Sequence, residues 1–291
     1  MKRLLLSLAL ILTAGAAHAQ PWAEARIETS PRHLEWVTVK HDGREVGCYV
    51  GYPEVKTRAP AVLVIHEIFG LSDWARLLVD ELAAAGYVAI APDLLWGAGE
   101  HGGGTAEIPA REIGQRIWKL PPEQITADLN AALDYIRHDV ACDGNVVVMG
   151  FCWGGGQSFR FATNSDAIKA AFVFYGPAPD AADMARITAP VHGFYGGNDA
   201  RISAGVPVAA EAMKAAGKSF EPVIYDGAGH GFMRAGDAPP PESVAAPAAD
   251  AGEDAKKAYA DYEKQLAAYA ANVKAHDAAW ERIKAVMARI P

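Results

Sequence analysis

The chain has 291 residues, 51% of them hydrophobic and 21% charged, with a formal net charge of −8 and three cysteines. That length is generous for one large α/β domain, and three thiols are too few for a disulfide scaffold. No basic run is present to neutralise phosphates, which excludes nucleic acid as a partner.

The first residues read MKRLLLSLALILTAGAAHAQ. Lys2 and Arg3 precede an apolar stretch from Leu4 to Leu12, and Ala17-His18-Ala19 forms a small-residue cleavage site. Residues 1–19 therefore read as a secretory signal peptide, and the mature chain is expected in the periplasm or outside the cell. The apolar stretch is too short to span a bilayer as a helix. No later stretch is long enough either, so the mature chain is expected to have no membrane span. Residues 20–291 are expected to form a single domain, with a monomer favoured.

Strand-like and helix-like stretches alternate after about residue 34. LEWVTV and CYVGYP (34–39 and 48–53) predict two early strands joined by the turn HDGRE. AVLVIHE (61–67) is a continuous apolar run, as expected of a strand covered on both faces. Residues 77–85 predict a helix closed by Gly86, and YVAIAPDL (87–94) the next strand. WGAGEHGGGT, within 95–109, predicts a surface loop and a candidate edge of a binding cleft. Residues 124–137 carry helical spacing. Residues 145–149 predict a buried strand, followed by a glycine cluster and a helix to about Thr163. AAFVFYG, APVHGFYGGND and FEPVIYDGAGH supply further strands, with a helix over 205–217. The rhythm predicts an α/β fold: a mostly parallel sheet with helices on both faces. Residues 235–254, rich in Ala and Pro, predict a mobile excursion without a core. Residues 255–290 predict a terminal helix, whole or broken, with Tyr262, Leu266, Tyr269 and Val273 on one face.

GFCWG (150–154) fits Gly-x-nucleophile-x-Gly between a buried strand and a helix, the frame of a nucleophile elbow. The helix N-terminus faces Cys152, and its field is expected to favour thiolate and to stabilise a developing oxyanion. A nucleophile needs a base, and the base needs an orienting acid. Asp199 and His230 follow two successive predicted strands, at the edge where open α/β sheets gather their active sites. Asp199 also suits a helix cap. Asp226 is a rival acid, though it lies too close to His230 along the chain to reach its far nitrogen easily. His192 falls within a strand and is expected in the core. Cys48 and Cys142 are either a disulfide pair or two buried thiols.

HEIFG (66–70), APDL (91–94), GFCWGG (150–155), GGND (196–199) and GHGFMR (229–234) occur in an order that resembles the dienelactone hydrolase family of the α/β-hydrolase fold. The resemblance spans about residues 34–234. It implies a triad of Cys152, His230 and Asp199, and an oxyanion hole from the backbone N–H groups of Ile68 and Trp153. It also implies that Glu67 contacts the resting thiol and helps generate thiolate, and that Arg234 holds a substrate carboxylate. A second family arginine falls at Arg111 or Arg116, between which spacing does not choose. Family members often begin the first motif with Gln; here it is His66, whose role stays open. Tyr175 and Trp118 are candidate cleft walls or core residues.

The expected activity is hydrolysis of a lactone or small carboxylic ester through an acyl-enzyme, with a small-molecule substrate and no metal or organic cofactor. The alternatives are a broad aryl or alkyl carboxylesterase on the same triad, a non-catalytic periplasmic binding protein, and a thiol-sensing redox protein. The absence of a Cys-x-x-Cys pair weighs against the last.

Overall fold

The computed structural model describes residues 20–290; the signal peptide expected over 1–19 lies outside them. Helix α1 (Pro21–Glu28) precedes an antiparallel hairpin of β1 (His33–His41) and β2 (Arg44–Tyr52). Asp42 and Gly43 both take positive φ at its tip, the two-residue turn that matches the twist of flanking strands. Then come β3 (Ala59–Ile65), α2 (Asp73–Ala84), β4 (Val88–Pro92), α3 (Ala110–Trp118), α4 (Pro122–Arg137), β5 (Cys142–Phe151) and α5 (Trp153–Ala162). The remainder is β6 (Ala171–Phe174), α6 (Ala181–Met184), β7 (Val191–Gly196), α7 (Ala200–Ser203), α8 (Val206–Ala215), β8 (Phe220–Tyr225), α9 (Phe232–Asp237) and α10 (Glu253–Met287).

The eight strands form one sheet in the order β1-β2-β4-β3-β5-β6-β7-β8. Only β2 runs antiparallel to its neighbours; β4 through β8 are parallel. This is the mostly parallel sheet that the alternating pattern predicts, in the α/β-hydrolase arrangement that the resemblance implies. Val62, Leu63, Val64, Val147 and Val148 are fully buried, as a strand sandwiched between helix layers requires. From β3 the chain leaves to β4 on one side, while β5 lies on the other. The crevice at this reversal, outside the carboxyl ends of the strands, is where such sheets bind ligands.

Several expectations are corrected. Helix α2 begins one turn earlier than its apolar spacing suggests: Ser72 caps it, accepting from the Ala75 N–H, and the side chain of buried Gln20 accepts from the Trp74 N–H at 2.7 Å. Helices α1 and α3 were not visible as periodic stretches. Of the two readings of Cys48 and Cys142 the second holds, for both are free and buried. β4 and β3 lie between their strands, and Cys48 is level with Pro92 at the end of β4 while Cys142 is level with Ala59 at the start of β3, so they stand well over about 14 Å apart, beyond the reach of a disulfide. Residues 235–237 belong to α9 and are tied down, since Trp74 Nε1 donates to Asp237 Oδ2 at 2.8 Å; beyond Asp237 the chain has no helix or strand until Glu253. Helix α10 is unbroken, and its buried stripe is Ala275, Ala279, Ile283 and Val286. Leu266 is exposed and Tyr262, Tyr269 and Val273 are half-buried. Tyr262, Leu266, Tyr269 and Val273 therefore do not mark the face that meets the core. Among the described residues no helix is long and apolar enough to cross a membrane.

Candidate active site

Cys152 stands between β5 and α5 at φ 55° and ψ −117°, a conformation an L residue holds only when its surroundings impose it. Its N–H donates to Phe174 O on β6 at 3.0 Å. A Cβ on Gly150 would lie 2.0 Å from Gly154 O, and one on Gly154 would lie 2.4 Å from both His66 O and Ile65 O. Backbone fills both spaces, so the turn closes only with glycine at these two positions. The exits of β3 and β5 are thereby pressed together, which brings Ile68 to the sulfur.

The loops after β7 and β8 are joined in the same way. The Asn198 N–H donates to Ala228 O at 2.8 Å and its side-chain amide to Gly227 O at 2.9 Å. Asn272 of α10 braces the second loop from behind, accepting from the Gly229 N–H at 2.9 Å. Asp199 is buried and makes no side-chain cap on α7; its carboxylate accepts from His230 Nδ1 at 2.6 Å. Asp226 is exposed. With the Nδ1 proton committed to Asp199, His230 Nε2 is left as an acceptor, and Cys152 Sγ lies 3.1 Å from it.

The N–H groups of Trp153 and Ile68 both bear on the sulfur and favour its ionised form, as does the Arg201 charge, but burial and the Glu67 charge outweigh them and push the thiol up to about 11. The helix terminus favours thiolate, as expected, but does not prevail, and the resting sulfur is a thiol, as the resemblance implies. Dehydration next to a carboxylate wins, and the sulfur keeps its proton at neutral pH.

Glu67 also departs from its expected contact. Its almost wholly buried carboxylate accepts from Arg234 Nε at 2.8 Å, and the thiol's hydrogen-bond partner is His230. Arg234, its guanidinium 5.3 Å from the Phe69 ring centre, is therefore tethered along one edge. His66 is fully buried, and burial lowers its pKa. Its Nδ1 donates to Glu67 O at 2.8 Å, Nε2 faces the Leu94 N–H at 3.4 Å, and its ring stacks on Trp153. The neutral imidazole thus fixes the segment that carries Glu67 and Ile68. His192 is buried on β7, as expected.

Above the sulfur opens a cleft of about 500 Å3, a size that suits a small organic molecule. Phe69, Trp118, Trp153 and Tyr175 line it, with Arg160, Arg201 and Arg234. Tyr175 is fully buried at φ 39°. Its ring meets His230 edge-on at 5.1 Å, and its hydroxyl has no hydrogen-bond partner among the described residues. Trp118, mostly exposed, stands at the mouth.

Neither Arg111 nor Arg116 reaches the cleft. Arg111 points into solvent beside Glu112, and Arg116 donates to Ala98 O at 2.8 Å and to Glu112 at 2.9 Å. The glycine-rich loop is likewise outside the cleft wall. Glu107 folds it back on itself by accepting from the N–H groups of His101 and Gly103, and the wall it was expected to supply comes from α3. Sequence reasoning missed Arg160 and Arg201. Arg160 lies eight residues after Cys152, on the same face of α5, and Arg201 lies two residues past Asp199 in the same loop. Arg160 is consumed by α4, donating to Thr126 Oγ1 at 3.0 Å and Pro122 O at 3.2 Å. Arg201 has no hydrogen bond or ion pair among the described residues.

A family model described as the dienelactone hydrolase family matches residues 46–290. A Salmonella typhimurium protein, provisionally named a carboxymethylenebutenolidase, is 31% identical over 234 residues, covering 75% of this chain and 85% of its own length. The carboxymethylenebutenolidase of Pseudomonas putida is 30% identical over 205 residues, covering 67% of this chain and 83% of its own. The crystal structure of a Klebsiella pneumoniae protein, provisionally named a dienelactone hydrolase, superposes with a TM-score of 0.62 at 27% identity, covering 82% of this chain and 98% of its own.

Proposed function

This chain belongs to the dienelactone hydrolase family, and on that premise we propose that it hydrolyses a lactone or small carboxylic ester through Cys152, His230 and Asp199. One observation carries the reading: His230 bridges a buried carboxylate at 2.6 Å and a sulfur at 3.1 Å, at a point on which two backbone N–H groups converge. As the sulfur attacks the carbonyl carbon, the thiol proton passes to His230 Nε2. The imidazolium is stabilised by Asp199, and the carbonyl oxygen, now an oxyanion, takes the Ile68 and Trp153 N–H groups. Collapse expels the alkoxide, which recovers the proton from Nε2 and leaves a thioester on Cys152. His230 then takes a proton from water; the hydroxide attacks, and the sulfur departs and is reprotonated.

A thiol held near 11 makes this a concerted handover, in which the nucleophile is generated only as the carbonyl arrives. Glu67 assists indirectly: it tethers Arg234 and keeps the resting sulfur protonated, and so protected from adventitious electrophiles. The Pseudomonas putida relative's name denotes a lactone bearing a carboxymethylene group, and the three arginines of the cleft suit such an anion. The aromatic lining supports the second reading, a broader aryl or alkyl carboxylesterase. The signal-like start supports action outside the cytoplasm.

Assays of the mature chain against a dienelactone, 4-nitrophenyl acetate and 4-nitrophenyl butyrate test the reading. Turnover that vanishes in Cys152→Ala is expected. Preference for the lactone supports the narrower substrate class, and preference for the aryl esters the broader one. No turnover of any of the three, or turnover that survives Cys152→Ala, contradicts the reading.

A further inference from the structure

Beside the cleft lies a second hollow of about 450 Å3, between the loop that follows β6 and helices α7 and α8. The two spaces are contiguous, for Pro177, Ala178, Pro179, Arg201 and Ile202 line both. Its floor is buried Tyr195 and Met184, and its walls include Val206, Ala209 and Ala212. Two charged side chains border it. Asp180 is exposed on the rim, and Arg201 stands at the junction with the cleft.

Each other arginine of the cleft is already engaged, Arg234 by Glu67 and Arg160 by α4. Arg201 alone of the three lacks a hydrogen-bonding partner among the described residues, and its charge is felt at Cys152. A guanidinium at the threshold of an apolar hollow is complementary to one ligand shape: an anionic group attached to an apolar chain. The chain would leave water for the hollow while the anion sits on the fork of donors.

We infer that this hollow is a chain-binding subsite for amphiphilic carboxylates, with Arg201 gripping the carboxylate and the space over Tyr195 taking the apolar substituent. Resting on the hydrolase reading above, it narrows the substrate to a carboxylate-bearing lactone or ester with an alkyl or aryl substituent. The reacting carbonyl lies at Cys152, the carboxylate at Arg201, and the substituent beyond it.

Calorimetric titration of the mature chain with octanoate and with butyrate tests the subsite without requiring turnover. Octanoate is expected to bind at least about tenfold tighter than butyrate, since its extra methylenes leave water. Arg201→Gln is expected to weaken octanoate about tenfold or more. Ala212→Phe, which fills the hollow, is expected to bring the two acids within about threefold of each other. Should Ala212→Phe fail to fold, Ala181→Phe fills the rim instead. Equal affinity of the wild-type chain for both acids, or octanoate affinity unmoved by Arg201→Gln and the filling variant, overturns the assignment. An absence of ester hydrolysis would sink the hydrolase reading alone, because the titration measures binding and not turnover.

Discussion

The two walls of the cleft are made by different means. At the exits of β3 and β5, backbone packs on backbone: Gly154 meets two carbonyl oxygens, and Cys152 is held at positive φ. Across the cleft, around Pro177–Pro179 and α7, side chains form the surface, and among the described residues Arg201 has no hydrogen-bonding partner to fix it. The first wall places a sulfur, an imidazole and two amide hydrogens, and tolerates almost no change in shape. The second decides what lies against them. Substitutions in the first should abolish the reaction or the fold, and those in the second should change preference.

The largest effect should come from the imidazole. His230→Ala and Asp199→Asn are each expected to lower kcat/KM by on the order of 10^3-fold to 10^4-fold, measured with the best substrate found. A loss under tenfold would mean that the bridge between Asp199 and Cys152 is not the reacting system.

Next comes a pair of glycines. Gly154→Ala drives a methyl into two carbonyl oxygens and should destabilise the fold by about 3 kcal/mol or more. At Gly156, on the cleft side of the same helix, a Cβ would meet the Pro177 ring at 3.1 Å and its carbonyl oxygen at an ordinary 3.6 Å. The gain in helix propensity of about 1 kcal/mol offsets much of that contact, so Gly156→Ala should move stability by less than about 1 kcal/mol. Urea unfolding of both variants reads the difference, and equal losses would erase the contrast between the walls.

The first wall is backed by a half-buried ionic cluster. Asp237, on the helix that carries Arg234, lies 3.3 Å from His276 Nε2 and 3.6 Å from Arg26, while Arg26 also pairs with Glu81. Burial, then the nearby Asp237 charge, raises Glu81 to about 7. Burial alone would lower His276, but its hydrogen bond to Asp237 and that charge outweigh it and the net direction is upward. Both groups hold their proton more tightly folded than unfolded. Their contribution is therefore complete below the unfolded value of Glu81, 4.5, and is lost as pH rises through 7. Stability should fall by on the order of 1 to 3 kcal/mol between pH 5 and 8, and Glu81→Gln should flatten that slope. Chemical denaturation across this range checks it; a slope of opposite sign would contradict the cluster's role.

A smaller effect discriminates between two roles for Glu67. Here its charge raises the thiol, so Glu67→Gln should shift the pH profile of Cys152 alkylation downward by about one unit. An upward shift would restore the role implied by resemblance, in which the carboxylate draws the proton from the sulfur.

The same division explains what was legible in the sequence. The sheet, the elbow and the order of Cys152, Asp199 and His230 were readable because glycines and apolar runs record backbone constraints locally. The positions of Ile68 and Trp153 followed from the resemblance, since an amide can bear on the sulfur whatever the side chain. The second wall left no such record. Arg111, Arg116, Arg160 and Arg201 look alike as letters, and only tertiary packing, which turns Arg111 and Arg116 of α3 away from the cleft and sets α7 against it, separates them. The balance of forces on the Cys152 thiol was only half legible for a related reason. A helix terminus shows in the sequence, but the burial and the opposing Glu67 charge that outweigh it are set by tertiary structure.

The central claim is that the sulfur at the elbow is the nucleophile. It is tested most directly by mass spectrometry of the intact chain after brief exposure to 4-nitrophenyl acetate, with peptide mapping of the product. A single acetyl group on Cys152, absent in Cys152→Ala and persisting longer in His230→Ala when that variant is acylated, is the expected result. Hydrolysis with no adduct under rapid quench, or an acetyl group at another residue, would contradict it.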